Sequence, residues 1–180
     1  MKKAELILGI SCLLALALNF SFIPGGGILT VLAFSALSVF YLYFGFALFN
    51  DVPFKQIFQQ SSYTHISKGR IIGAVGVGIA LSATTGGLMF KFQSWPGAKI
   101  NLGIGVFALF LVTIVGLFKY SKNRSPYYTN IFKRVVLFGA LALTLLFIPK
   151  KTWLNFKYRN NPAYVEALEK AMADPGNAEL

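Results

Sequence analysis

The chain is poor in acid, in histidine and in cysteine. Of its 180 residues six are Asp or Glu, one is His (His65) and one is Cys (Cys12). A single cysteine forms no intrachain disulfide. Its place inside an apolar run reads as a small buried hydrophobe. Gly9 stands three residues before it where a lipoprotein site would want Leu. His65, in "SSYTHISKGR", has no Cys, Asp or Glu close by and so makes no metal site. No H-E-x-x-H, no carboxylate pair within an apolar run and no Ser–His pair with an orienting acid occurs. The convergent titratable groups that acid–base or nucleophilic catalysis needs are therefore missing, and His65 with Asp51 is the one loose combination. "PGGG" at 24–27 lacks the rest of a phosphate-binding loop. The expectation is a non-enzymatic protein without a cofactor.

What is abundant is apolar. Hydrophobic residues make 56% of the chain and charged ones 13%, against about 45–50% and about 25% in soluble domains. Burying that much apolar surface in a soluble fold of this size would leave too few polar groups for its outside, whereas a lipid solvent removes the problem. A bilayer's hydrocarbon takes about 20 residues of helix, and five runs meet or approach that length: 6–23, 28–48, 71–90, 100–118 and 131–148. The fold class expected is all-α, a polytopic membrane bundle of five spans over 1–150, followed by a polar tail over 151–180. In the last run Lys133 and Arg134 lie near the start and would have to snorkel. No acidic residue falls inside any of the five runs. The first run also admits a signal-peptide reading, with Lys2 and Lys3 as the basic start and Ala15-Leu16-Ala17 as the cleavage site.

The net charge is +11, and its Lys and Arg lie almost wholly in the connections and the tail. Positive charge there orients spans and meets anionic lipid headgroups. No nucleic-acid motif accompanies it, so nucleic acid is not an expected partner. With five spans, ten Lys and Arg lie on the N-terminal side against two, Lys91 and Lys99, in the opposite corners. That bias puts the N-terminus in the cytoplasm of a bacterial inner membrane and leaves the basic tail outside, against the rule. In the second connection Phe54, Ile57 and Phe58 recur at helical spacing. That suits a short helix at the membrane surface, or a loop whose apolar residues tuck under the spans. "KYSKNRSPYYTN" is a basic interfacial loop with Tyr120, Tyr127 and Tyr128 at the aromatic belt. In the tail Asn161-Pro162 reads as N-cap and first residue of an amphipathic helix carrying Tyr164, Leu168 and Met172. Glu166 and Lys170 form an i, i+4 pair, and Asp174-Pro175-Gly176 ends the helix.

Two tight corners interrupt the spans, "NFSFIPGGGILTVL" and "MFKFQSWPGAKINLG". Setting Pro24-Gly25 on Pro96-Gly97 places Phe20 on Phe92 and Ile28 on Ile100. The two hairpins would then run the same way through the membrane, as a parallel repeat. Proline ends a helix at the residue before it, and glycine accepts the positive φ of a reversal. Trp95 would sit at the water boundary, and Lys91 and Lys99 would reach the headgroups. Span three is rich in small residues. Gly69 and Gly73, like Gly76 and Ala80, form small-xxx-small pairs that let helices approach closely. Ser82, Thr84 and Thr85 can hydrogen-bond within the membrane.

The stretch "GGLMFKFQSWPGAKINLGIG" at 86–105 resembles the transmembrane hairpin of GldL, the inner-membrane subunit of the gliding and type IX secretion motor of Bacteroidota. Gly86, Phe90, Lys91, Trp95, Pro96, Gly97 and Ala98 match its pattern, and the first corner shares Phe20, Pro24 and Gly25. The resemblance covers about one hairpin and implies a multi-span inner-membrane protein that works beside other subunits. The family's carboxylate in the helix after the corner is absent here, as is its long cytoplasmic extension, so a proton-driven motor is not implied. The functional expectation is a non-enzymatic inner-membrane scaffold or accessory subunit, with a membrane-protein partner or a homo-oligomer. The alternative is a passive small-solute channel or carrier lined by the hydroxyls of span three.

Overall fold

A computed structural model describes residues 1–173, with side chains to residue 170. The described residues form seven α-helices and no strand: α1 (Lys2–Phe20), α2 (Gly26–Phe49), α3 (Lys68–Gln93), α4 (Ala98–Lys122), α5 (Pro126–Phe147), α6 (Lys150–Lys157) and α7 (Pro162–Ala173). Helices α1 to α5 are each long and apolar enough to cross a bilayer, and the chain is a multi-pass membrane protein of all-α class. Met1–Leu145 forms one compact unit and the described residues from Leu146 onward a second.

The helices run past the apolar windows because backbone hydrogen bonds continue into the interface, where charged side chains are solvated. The fifth span shows this best. It begins at Pro126 rather than Ile131, with proline at the first helical position, where a missing N–H costs nothing. The Ser125 hydroxyl accepts from the Tyr127 N–H at 3.3 Å. Helix α4 ends with Lys119 and Lys122 in its last turn, where the helix dipole favours cations.

Helix α3 is the centre of the first unit and packs against α2 on one side and α4 on the other. Both contacts are close because glycine removes the Cβ. A Cβ on Gly78 would lie 2.5 Å from the Tyr41 carbonyl oxygen, and one on Gly45 2.8 Å from the Gly78 Cα. Toward α4, a Cβ on Gly87 would lie 2.6 Å from the Leu102 Cα and one on Gly105 2.5 Å from the Thr84 Cα. Hydroxyls on α3 are satisfied within this packing. Thr84 and Thr85 donate to the carbonyls of Ala80 and Leu81 at 2.7 Å, and Ser82 pairs with Ser38 of α2 at 2.9 Å.

Helix α1 packs on α2 through Gly26, whose Cβ would meet the Asn19 nitrogen at 2.7 Å, and through Thr30, which donates to the Ala15 carbonyl at 3.1 Å. Cleavage after Ala17 would remove both contacts. Between α2 and α3 the surface-helix expectation gives way to two 3-10 turns, Phe54–Gln56 and Gln60–Tyr63. Ile57 is buried with Ala47 and Val52, which anchors the loop, while Phe58 is 97% exposed. In the second unit Asn161 caps α7, its Oδ1 accepting from the Tyr164 N–H at 3.1 Å. Glu166 and Lys170 pair at 2.9 Å. The side chain of Met172 and the Asp174-Pro175-Gly176 stop lie outside the described residues.

Candidate functional site

The two corners have the same backbone. Gly25 and Gly97 sit at φ 85° and 75°, and the residues two before each proline, Phe22 and Ser94, at φ 56° and 61°. Their hydrogen bonds coincide one for one. Ile23 donates to Leu18 and Trp95 to Phe90; Phe22 to Asn19 and Ser94 to Lys91; Gly26 to Ile23 and Ala98 to Trp95; Leu29 to Gly25 and Asn101 to Gly97. Each glycine is also the N-cap of the helix that follows its proline. The corners meet each other through aromatics, Phe92 lying 6.3 Å from Phe20 and 5.5 Å from Phe34.

Lys91 departs from expectation. It is 8% exposed, whereas Lys99 is exposed. Helix α3 continues to Gln93, so Lys91 falls in its last turn, where the terminal carbonyls and the dipole favour a cation. Trp95 is exposed and stacks edge-on against Phe90 at 5.2 Å.

The small-residue face of α3 divides in two. Ala80 is buried, whereas Gly69, Gly73 and Gly76 line a groove of about 230 Å³ among α3, α4 and α5. A Cβ on Gly69 or Gly76 would meet nothing within 4 Å, and one on Gly73 only the Tyr127 hydroxyl at 3.5 Å. At the groove's mouth the Arg70 guanidinium lies 4.4 Å over the Tyr127 ring, and Tyr127 donates to the Arg70 carbonyl at 3.0 Å. Among the described residues nothing accepts from the Arg70 Nε.

A charged cluster stands where none was expected. Glu5 lies within α1, not before the first span, and Arg134 of α5 turns inward to it instead of snorkelling. Their side chains are 15% and 16% exposed. The guanidinium grips the carboxylate with Nε on Oε1 and Nη2 on Oε2, and its Nη1 donates to the Asn130 carbonyl at 2.8 Å. The buried Tyr41 hydroxyl donates to Glu5 Oε1 at 2.9 Å. The Phe49 ring lies 5.4 Å from the guanidinium. Such bidentate, multiply hydrogen-bonded pairing is what lets two charges sit together in a low dielectric. Outside the cluster Lys2 pairs with Asp51 at 2.6 Å, which joins the N-terminus to the second connection. Beyond Glu5 and Arg134, α1 and α5 part to leave an apolar cleft of about 650 Å³.

In the second unit Lys157 is 4% exposed, and burial lowers its pKa to about 8. Helix α6, which carries it, has no counterpart in the sequence reading. Among the described residues no three His, Cys, Asp or Glu side chains gather as metal ligands would. No family model, curated protein or solved structure matches the chain.

Proposed function

We propose that this multi-pass protein is a non-enzymatic scaffold or accessory subunit that seats a helix of a partner membrane protein against the outer face of α3. The observation that carries this reading is the glycine groove of Gly69, Gly73 and Gly76, which the protein's own helices leave open. Between helices in lipid there is no hydrophobic driving force, so association rests on close packing over small residues and on hydrogen bonds. The groove offers both, the second through the unpartnered Arg70 Nε at its mouth. The resemblance of 86–105 to the GldL hairpin and the Lys and Arg bias support a bacterial inner membrane of Bacteroidota type with the N-terminus in the cytoplasm. The channel or carrier alternative draws no support from the hydroxyls of α3, since Thr84 and Thr85 are buried and bonded to their own helix.

The test is affinity capture of the tagged protein from its native membrane in mild detergent, beside Gly76→Leu. The empty space at Gly76 admits the larger side chain without disturbing the bundle. One stoichiometric membrane partner with the wild type, lost with Gly76→Leu, is the expected result. Recovery of the chain alone, or a partner retained by the variant, overturns the reading.

A further inference from the structure

The cleft between α1 and α5 shares no lining residue with the glycine groove, and what it holds does not depend on the partner reading. Its walls are the facing sides of α1 and α5 and its floor is Leu37, Tyr41 and Leu88. Along α1 it extends from Lys2 to Leu16, which at 1.5 Å per residue is about 21 Å. One leaflet, half of a bilayer about 40–45 Å thick with its headgroups, spans about the same distance. The polar residues of the cleft gather at one end. Lys2, Glu5, Lys133 and Arg134 lie there, and the remainder of the lining is almost wholly apolar. Glu5 and Arg134 satisfy each other, and Lys2 is paired with Asp51. Lys133 is exposed at the mouth and, among the described residues, has no acidic partner.

From this geometry we infer that the α1–α5 cleft is a binding site for one anionic phospholipid, an acyl chain lying between the helices and the phosphate meeting Lys133. The length and the lining select the occupant: the cleft is about as long as one leaflet, with its charged groups at one end and apolar side chains along the rest, the pattern of a headgroup above an acyl chain. The charge selects the headgroup, because with Arg134 bridged to Glu5 and Lys2 to Asp51 the mouth keeps the one cation Lys133 in excess. Gly9 supplies the room for the chain on the α1 wall, since a Cβ there would meet nothing within 4 Å.

The experiment is native mass spectrometry of the full chain released from nanodiscs of phosphatidylglycerol and phosphatidylethanolamine with matched chains. The wild type should retain one phosphatidylglycerol in preference to phosphatidylethanolamine. Lys133→Gln should lower that preference about five-fold, the effect of one basic residue near an anionic headgroup, while leaving total lipid occupancy unchanged. Gly9→Leu, whose side chain fills the cleft from a position with open space around it, should abolish retention with helicity and melting midpoint unaltered. A wild type that retains no lipid, or retains both headgroups equally, overturns the inference. So does unchanged retention by Gly9→Leu, or a dimer in which the cleft is covered by the second copy.

Discussion

Arg134 and Glu5 stand 129 residues apart in sequence and share a bidentate contact, and breaking it from either side should be costly in a way that breaking it from both is not. Replacing Arg134 with Met leaves the Glu5 carboxylate, 15% exposed, with the Tyr41 hydroxyl as its remaining donor in the cluster. Replacing Glu5 with Leu leaves a guanidinium at similar burial with the Asn130 carbonyl. Removing one member of a buried pair costs about 3–5 kcal/mol because the other stays desolvated and uncompensated. The pair lies near the polar end of its helices, so the lower figure, about 3 kcal/mol for each single variant, is the expectation. In the double variant the cluster's Tyr41 hydroxyl loses its acceptor, at about 1–2 kcal/mol. The two substitutions should therefore couple by at least about 3 kcal/mol, and adding Tyr41→Phe should bring stability back toward the wild type. The assay is reversible unfolding by sodium dodecyl sulfate in lipid bicelles, followed by helical circular dichroism. Single effects that sum to the double effect within about 0.5 kcal/mol would refute the pairing as an energetic unit.

Two further outcomes follow from the corners and the tail. Gly25→Ala and Gly97→Ala meet nothing closer than 3.6 Å, so each should cost only the left-handed conformation, about 1 kcal/mol. Equal losses in the same unfolding assay are expected from equivalent corners, and a cost confined to one of them would count against the equivalence. For Lys157, burial holds the folded pKa at about 8 against 10.5, so the folded state disfavours the proton that the unfolded state still binds. Stability of the second unit should then rise as pH climbs from about 8 to 10.5 and level off beyond. Hydrogen exchange of α6 amides, corrected for intrinsic rate, reads this directly, and Lys157→Met should be protected at neutral pH and lose the rise.

Much of the architecture is legible from hydropathy alone, because a span is a local property: about 20 apolar residues must be consecutive whatever they pack against. The corners are equally local. Pro24-Gly25 and Pro96-Gly97 dictate φ at those residues, and the second positive φ, at Phe22 and Ser94, is carried by side chains that announce nothing. That position is found only by superposing the two corners. The small residues are half legible. Composition marks α3 as a close-packing helix, but which glycine faces which neighbour depends on helix rotation. Gly78 and Gly87 meet other backbones while Gly69 and Gly76 meet none, and no spacing rule separates these cases.

The charges are legible least, for a physical reason that also links the fold to its binding surface. Read one residue at a time, Glu5 is a flank before an apolar run and Arg134 an intruder in the first turn of one. Each is costly in lipid by itself, and the natural reading removes both to the interface. Placed together they cancel, so the fifth helix can begin at Pro126 and carry an arginine inward. The same bridge joins α1 to α5 at the charged end of the cleft, whose remaining lining along the two helices is Gly9 and apolar neighbours. A pair that satisfies its own charges thus leaves the adjacent lysine, Lys133, as the exposed cation at the mouth of that cleft.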